Sequence, residues 1–445
     1  MAFCRGLLLH VVKYNHGMAW RGLRGWLAVG VFGVALGCQA EDVPRLRLNG
    51  FGTVGVVHVQ APQGWGFRRS HDQPRVDEAL RADVDSRLGV QANYELTPQL
   101  EAVGQLLLAR QLQPQPLQLA FLAWRPEPGL TVRLGRTNNG IYQYSDSRNI
   151  GFSYPWARPN NETNASLPLY TLDGIDATWQ WQQAESFWSL HTYLGRSRST
   201  LPSATGGRVT YDVQRLAGAT LKHTRGGLEL RGTLAVARAQ IQTDERTLQA
   251  VATLDQLGRL PGLANTPTGA DLRDLHDTAV EALKTGNVTY LSLGAIYDDG
   301  GPWVAAMEAI GSTSGRSYGD VRLGFASLGH RFGAVTPFVA VGTGRFTGRF
   351  ASRADWGPDL MSALGPQMAG MTMLLMSQMD RNLKGATMDQ HSLSLGLRWD
   401  LHPRAALKLQ HDRYWVARRG SLTWTDAEPR AARPGVTSLS VDFVF

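Results

Sequence analysis

The sequence has 445 residues, of which 18% are charged, and 45 Lys and Arg against 37 Asp and Glu give a formal net charge of +8. So modest a basic excess does not imply nucleic acid binding. The two cysteines, Cys4 and Cys38, both lie within the first 40 residues. The rest of the chain therefore lacks the residues for a disulfide, a zinc finger or CxxC chemistry.

The first 40 residues are typical of a secretory signal peptide. A basic region, a short apolar run and a small residue follow one another: Arg21 and Arg24, then Trp26–Gly37, then Ala40. The apolar run has about a dozen residues, fewer than the roughly twenty of a membrane-spanning helix. We predict that residues 1–40 are removed on export and that 41–445 form the mature chain, with Met18 as a candidate for the true start. Lipid modification of Cys38 is the alternative.

Beyond the leader, short runs of residues alternate between apolar and polar side chains, as membrane-spanning β-strands do. In the segment 391–400, Leu393, Leu395 and Leu397 share one face, and small or polar residues share the other. The last segment repeats this pattern and stops on Phe445. Sixteen such runs are separated by Gly, Pro and Asn clusters. They are 45–59, 82–96, 100–112, 116–126, 130–138, 172–183, 186–197, 210–223, 228–241, 287–299, 302–313, 317–332, 335–347, 388–401, 404–417 and 436–445.

The connections between these runs alternate between tight turns and longer loops, the asymmetry of an outer-membrane barrel. The longer connections are 60–81, 139–171, 198–209, 242–286, 348–387 and 418–435. We therefore predict an all-β protein, a closed transmembrane antiparallel β-barrel of about sixteen strands with both termini on the short-turn, periplasmic side. Closure satisfies every backbone hydrogen bond without a sheet edge. At this strand number the interior is too wide for side chains to fill, so water is expected there.

Two of the long loops are predicted to be partly helical. Leu272, Leu275, Ala279 and Leu283 share a helical face in the first, and Met361, Leu364, Met368, Met371 and Leu375 share one in the second. We favour packing of these faces against the barrel mouth or a neighbouring subunit. A Met-rich binding surface for a soft metal is the alternative.

Several segments resemble the Gram-negative outer-membrane porin superfamily, and the resemblance covers most of the mature length. The segments are Gly50–His58, Asp85–Gln91, Val132–Arg136, Ser145–Pro159, Leu172–Trp179, Ala406–Trp415 and Leu439–Phe445. Each is weak alone, and it is their order that makes the resemblance specific. It implies a homotrimer in the outer membrane, in contact with lipid and lipopolysaccharide, whose third external loop folds into the barrel and narrows it.

On this resemblance we predict a pore constriction with charges and aromatic rings facing one another. Its predicted members are Arg87, Arg133, Arg136, Asp146, Arg148, Tyr154, Trp156, Arg158 and Glu162. Strict alternation would turn Arg136 toward lipid, so an irregularity beginning at Gly135 is assumed to bring it into the bore. Ordinary ion pairing within the lumen is an equally good explanation of Arg87, Arg133 and Arg158. Tyr154 and Trp156 either stack on a solute or simply pack the folded loop.

The function expected from these features is passive diffusion and ion transport through a porin, for small hydrophilic solutes that include anions. No cofactor is implied, and HExxH, GxSxG and P-loop motifs do not occur. One alternative is a channel specific for an organic anion or aromatic solute, built on Arg148, Tyr154, Trp156 and Arg158. Another is a plugged barrel that acts as a surface receptor or adhesin, and an outer-membrane enzyme is the least favoured.

Overall fold

The computed structural model describes residues 45–70, 73–77, 80–111, 115–164, 169–202, 208–314, 320–347, 355–385, 388–417, 423–425 and 431–445. The predicted signal peptide, with Cys4, Met18 and Cys38, lies outside the described residues. All sixteen predicted strands fall within the described parts of the chain, at least over most of their length.

Sixteen long strands, here β1–β16, form one sheet in which every neighbouring pair is antiparallel. Each strand pairs with the next in sequence, and β1 pairs with β16 to close the sheet, from Phe51 opposite Val444 to Gln60 opposite Gly435. The prediction of a closed sixteen-stranded barrel is confirmed. In chain order the strands are Leu46–Gln60, Arg87–Thr97, Leu100–Ala109, Leu117–Trp124, Leu130–Asn138, Thr171–Gln183, Ser186–Pro202, Arg208–Arg225, Leu228–Thr243, Gly286–Asp298, Trp303–Thr313, Asp320–His330, Val335–Thr347, Asp389–His402, Ala405–Val416 and Gly435–Val444.

The two faces of the barrel differ as the alternation predicts. Large apolar side chains on the outer face are exposed, among them Leu48, Leu134 and Leu293, whereas their inward neighbours are polar or covered by loops. An outer surface of this kind suits hydrocarbon rather than water. At the short-turn end, Trp181 and Trp188 stack on the outer face with ring centroids 6.0 Å apart, as in the aromatic girdle of a membrane barrel.

Closure of the barrel involves the last residue of the chain. The backbone N–H groups of Gly50 and Phe445 donate to each other's carbonyl oxygens at 2.8 and 2.9 Å. The Phe445 ring then covers Gly50 so closely that a Cβ atom at this position would lie 2.0 Å from Cζ of the ring. Glycine is therefore required where the first strand receives the terminal aromatic side chain.

Helices occur only in the long loops of the described chain: α1 is Asn161–Asn164, α2 is Glu245–Gly258, α3 is Pro267–Leu283 and α4 is Gly357–Gly385. Helices α2, α3 and α4 pack together around Leu254, Leu272 and Met376, which are fully buried. Trp356 Nε1 also donates to Asp271 Oδ2 at 3.0 Å, which joins the two loops. None of the helices in the described residues is long and apolar enough to cross a bilayer.

The predicted packing face is right for the first helical loop and only partly right for the second. Leu272, Leu275 and Ala279 are buried. In the second loop Leu364 and Leu375 pack against the helix cluster, but Met361, Met368 and Met371 are exposed. Helix α4 instead buries Leu360, Ala369, Thr372, Met376 and Met379. The physical reason is a break in α4, where Gly365 has φ 73° and is followed by Pro366. The two halves of α4 therefore do not share one continuous 3.6-residue face.

Candidate functional site

The connection between β5 and β6, described over residues 139–164 and 169–170, is docked against the opposite wall of the barrel. Its first residues contact β9, β10 and β11: Arg231 donates to the carbonyls of Gly140 and Tyr142, and the backbone N–H of Gln143 donates to Glu308 Oε1 at 2.9 Å. These partners come from strands far along the sheet from β5. The loop therefore passes through the barrel interior rather than lying over its mouth.

Lys408 on β15 binds the middle of this loop. Its side chain is fully buried, and Nζ donates to the carbonyls of Gly151 and Trp156 at 2.5 and 2.8 Å. Asp442 Oδ2 on β16 lies 2.9 Å from the same Nζ. A buried ammonium group needs such a counter-charge and oxygen acceptors because it has lost its water.

Arg158 in the loop forms a second ionic contact with the wall. Its guanidinium donates to Asp85 Oδ2 at 2.8 Å and to Asp412 Oδ2 at 2.7 Å. Arg158 is 2% exposed, and the two aspartates are each 1% exposed. We call Lys408, Asp442, Arg158, Asp85 and Asp412 the loop clasp, because they join the loop to the fifteenth and sixteenth strands and to the segment before β2.

Other loops cover the clasp. Arg158 lies over the ring of Phe67, 5.2 Å from its centroid. Phe67 belongs to a two-residue strand that pairs with Trp424 and Thr425 from the last external loop. Trp65, Phe67, Tyr414 and Trp424 are all buried there. The first and last external loops thus shield these ions from water.

Glu162 docks the end of the loop on β14. Its carboxylate accepts hydrogen bonds from Gln390 Nε2 at 2.7 Å and Ser392 Oγ at 3.0 Å. Burial raises the pKa of Glu162, since those hydrogen bonds only partly replace the lost hydration of the charged form. The loop is therefore anchored at its beginning, middle and end.

The predicted aromatic pair packs the docked loop. Tyr154 and Trp156 are 2% and 3% exposed and stack with ring centroids 5.7 Å apart. Trp156 Nε1 donates to Ser327 Oγ on β12 at 2.8 Å, and its ring meets Phe325 edge to face at 5.1 Å. A solute could reach these rings only after the loop had moved.

The part of the loop around Asp146 lies next to the end of β5. Asp146 lies inside the barrel but has an exposed side chain, and it accepts a hydrogen bond from Asn138 Nδ2 at 3.3 Å. The surrounding protein would by itself raise the pKa of Asp146, but the charges of Lys222 and Arg133 and the hydrogen bond from Asn138 outweigh this and lower it. Asp146 therefore carries its negative charge at neutral pH.

The wall opposite Asp146 carries charges of both signs. Arg133 Nε donates to Asp176 Oδ1 at 2.7 Å, and His191 Nε2 lies 3.6 Å from the same oxygen. Lys222 Nζ is 3.9 Å from Glu229. We call Asp146, Arg133, Asp176, His191 and Lys222 the charged gap. Fixed charges across a narrow wet passage can orient dipoles and filter ions.

A cleft lies beside the loop near the long-loop end of the barrel. Its lining includes Arg148, Tyr170, Gln111, Gln115 and Gln118, and its empty volume is about 470 Å³, open solvent included. The Arg148 guanidinium lies 3.5 Å from the centroid of the Tyr170 ring and donates to Gln118 Oε1 at 3.2 Å.

The remaining two predicted arginines lie apart from the gap. Arg87 is on the inner wall but only 5% exposed, and its Nε donates to Thr53 Oγ1 at 3.3 Å. Arg136 is on the outer face, because Thr137 and Leu172 beside it are buried inward while the neighbouring Leu134 is exposed. Although Gly135 has φ 133°, the β5–β6 register has no shift there, and the assumed irregularity does not turn Arg136 inward. Arg136 instead binds Asp173 through two hydrogen bonds of 2.7 and 2.9 Å.

Sequence reasoning missed the wall residues that receive the loop and face Asp146. Lys408, Asp412 and Asp442 occupy inward positions of the last two strands, and Asp176, His191 and Lys222 occupy inward positions of β6–β8. A usable signal was present, because each is a charged or titratable residue on the polar face of an alternating strand. For Lys408 and Asp412, contact with the loop depends on residues more than two hundred positions apart in the chain.

The barrel resembles solved outer-membrane proteins in fold. Salmonella typhi OmpF, in a complex with daunomycin, aligns with a TM-score of 0.50 at 10% identity, over 90% of this chain and 97% of OmpF. The outer-membrane channel DcaP of Acinetobacter baumannii has a TM-score of 0.49 at 9% identity, with 90% and 97% coverage. The anion-selective porin from Comamonas acidovorans has a TM-score of 0.48 at 12% identity, with 90% and 99% coverage.

At these identities the similarity is one of fold. The chain has the porin-like β-barrel fold, with sixteen antiparallel strands in a closed sheet. No protein-family model matches the sequence, and no curated protein matches it. What passes through the barrel must therefore be argued from the residues of this chain.

Proposed function

We propose that this protein is an outer-membrane porin, a passive channel for small hydrophilic solutes and ions. The observation that carries the proposal is the division of the barrel interior by the docked loop. On one side the loop is packed to the wall by the clasp, and on the other Asp146 faces Arg133, His191 and Lys222 across the charged gap. Solutes pass through this gap down their gradient.

The charges of the gap predict weak selectivity. Asp146 and Asp176 oppose Arg133 and Lys222, so neither sign dominates. A unit charge about 4 Å from an ion contributes about 1 kcal/mol in water-like surroundings, and salt screens it further. Charge balance of this kind supports general diffusion of ions of either sign. The reversal potential measures whether the channel prefers anions. No step of this passage makes or breaks a bond, so we propose no enzymatic activity.

The proposed location is the outer membrane of a Gram-negative cell, reached by cleavage of the signal peptide. The exposed apolar outer face and the stacked Trp181 and Trp188 support membrane insertion. Contact with lipid and lipopolysaccharide follows from that location. The homotrimer rests on the sequence resemblance alone, and mass measurement of the purified protein in detergent tests it.

The test is conductance across a planar bilayer, with reversal potentials measured in a salt gradient. Wild-type protein should give stable open current. Asp146→Asn should shift selectivity toward anions and Lys222→Gln toward cations. Each permeability ratio should change by at most about fivefold, the equivalent of about 1 kcal/mol.

Arg238→Gln is the matched control, since Arg238 lies on the outer face of β9. It removes one positive charge without touching the bore, so the reversal potential should stay at the wild-type value. Absence of open current from correctly folded protein would refute the channel and support the plugged receptor. Identical reversal potentials in the wild type and the three variants would show that ions do not pass through the charged gap.

A solute-specific channel is the second candidate, and the cleft at Arg148 and Tyr170 favours it. Tyr154, Trp156 and Arg158 are too deeply buried to form the binding site. The cleft, in contrast, offers a guanidinium, an aromatic ring and glutamine amides in one place. Block of the current by micromolar aromatic carboxylates, lost in Arg148→Gln, would support this function over general diffusion.

A further inference from the structure

Four arginines lie along one row on the outside of the barrel. Arg136 on β5 pairs across the sheet with Asp173 on β6, and Asp173 pairs with Arg196 on β7. Next comes a bulge in β8, where the register jumps between Val213 and Leu216 and leaves Arg215 across from Arg196. Arg215 then pairs with Arg238 on β9. We call these four arginines the exterior arginine row.

The outward direction of this row follows from its neighbours. Leu194 and Val236, two residues from Arg196 and Arg238 on the same strands, are exposed large apolar side chains on the lipid side. Ser197 and Ala235 face inward and are buried. Since side chains alternate along a strand, Arg196 and Arg238 point outward, and Arg215 shares the face of its partner Arg238.

The row also lies at a defined height on the barrel. Asp173, Arg196, Arg215 and Arg238 each lie ten residues along the strand from the turn end of their hairpin, at Gln183, Ser186, Arg225 and Leu228 respectively. Ten residues of a strand tilted by about 40° rise about 25 Å. That is about the height of the outward apolar band of a membrane barrel. The stacked Trp181 and Trp188 lie two residues nearer the row than those turn ends, so the row is about 20 Å above them, toward the far edge of the band.

Within the part of the chain that the structure describes, most of the positive charge in the row has no ion-pair partner. Asp173 accepts hydrogen bonds from Nε and Nη2 of Arg136, at 2.7 and 2.9 Å. Among the described residues, Arg196, Arg215 and Arg238 form no ion pair, and all three are exposed. Asp212, the next acid on this face of β8, lies across from Arg198. Like charges directly opposite each other, as in Arg215 and Arg238, destabilise a sheet.

We propose that Arg196, Arg215 and Arg238 bind the phosphate groups of a lipid head group in the outer leaflet. A guanidinium fork pairs well with phosphate oxygens. The head-group level of the leaflet coincides with the height of the row, and the acyl chains lie against the apolar surface below it, around Leu194 and Val236. A bound phosphate relieves the repulsion between the facing arginines. This inference rests on the proposed outer-membrane location but not on channel activity.

The test uses diphosphorylated lipid A as the probe and native mass spectrometry of the purified protein in detergent. Wild-type protein should retain lipid A, and fully dephosphorylated lipid A should bind at least about tenfold more weakly. The triple variant R196Q/R215Q/R238Q should lose affinity for the phosphorylated form to a similar extent. The bilayer conductance of the triple variant should stay at the wild-type level. The lipid-binding inference and the channel proposal can therefore fail independently of each other.

The matched control is R225Q/R246Q/R259Q, which also removes three exposed arginines. Arg225 and Arg259 lie in a short turn and after a loop helix, with ion pairs to Glu185 and Asp255. This control should bind lipid A like the wild type. The single variants Arg215→Gln and Arg238→Gln should bind lipid A with affinities between those of the wild type and the triple variant. They test the site even if the triple variant misfolds.

Three outcomes would overturn the inference. The first is equal lipid A binding by the triple variant and the control. The second is displacement of lipid A by millimolar inorganic phosphate, which would indicate a site for free anions. The third is a change of oligomeric mass in the triple variant, since this face would then contact another copy of the chain.

Discussion

Replacement of Arg158 by Met should release the third external loop from the wall while leaving the barrel intact. The change removes the cation that lies between Asp85 and Asp412, both 1% exposed. Removal of one partner from a buried ion pair costs about 3–5 kcal/mol, because the remaining charge is left buried. Asp85 keeps Arg69 at 3.1 Å, and Asp412 keeps the Gln410 amide at 2.6 Å. We therefore expect the lower end, about 3 kcal/mol, or a hundredfold increase in the open population of the loop.

Hydrogen exchange followed by mass spectrometry measures this opening directly. The backbone N–H of Ala157, which donates to Gln410 Oε1 at 2.8 Å, should exchange about a hundredfold faster in Arg158→Met. The double variant R158M/D412N should recover much of the protection, because it removes the carboxylate that is left without a cation while Asp85 keeps its pair with Arg69. Arg225→Met, which breaks an exposed pair with Glu185, should change nothing in the loop. Equal exchange at residues 139–164 in Arg158→Met and Arg225→Met would refute the role of the clasp.

Three further predictions concern the end of the docked loop, the contact between Gly50 and Phe445, and the loop helices. Burial raises the pKa of Glu162 above that of the free carboxyl, so its contribution to loop docking is fully present below the free value and is lost as the pH rises through the folded value. Exchange of residues 160–164 in the wild type should therefore accelerate with rising pH by more than the intrinsic pH dependence, and Glu162→Gln should abolish that excess. Gly50→Val should displace the Phe445 ring, whose Cζ lies 2.0 Å from the added Cβ, and lower barrel stability by about 1–3 kcal/mol in urea unfolding in lipid vesicles, whereas Gly104→Val, with open space around it, should have little effect. Leu254→Ala, at a fully buried position among the loop helices, should lower the local stability of the helices α2, α3 and α4 by about 2–5 kcal/mol. Limited proteolysis should cut residues 245–283 faster while conductance is unchanged, and loss of the barrel itself would show that these helices do not fold independently of it.

The sequence by itself determined the barrel. Alternation in 391–400 and in the segment ending at Phe445 marks strands with one apolar face, and the tight turns fix which strands are neighbours. These signals are local, since they depend on residues two or three positions apart. The sixteen strands and the direction of side chains such as Leu134 therefore followed without any tertiary information.

Only the tertiary structure decided how the interior is divided. Arg158 was visible as a loop arginine, but its partners Asp85 and Asp412 are 73 and 254 residues away in the chain. No local pattern specifies contacts at that separation. For Arg136, in contrast, the local alternation already indicated the outer face, and the irregularity assumed at Gly135 is absent from the β5–β6 register. In α4 the break at Gly365 changes which methionines are buried. Strand periodicity determines the wall, whereas packing across the bore determines the passage that the loop leaves open.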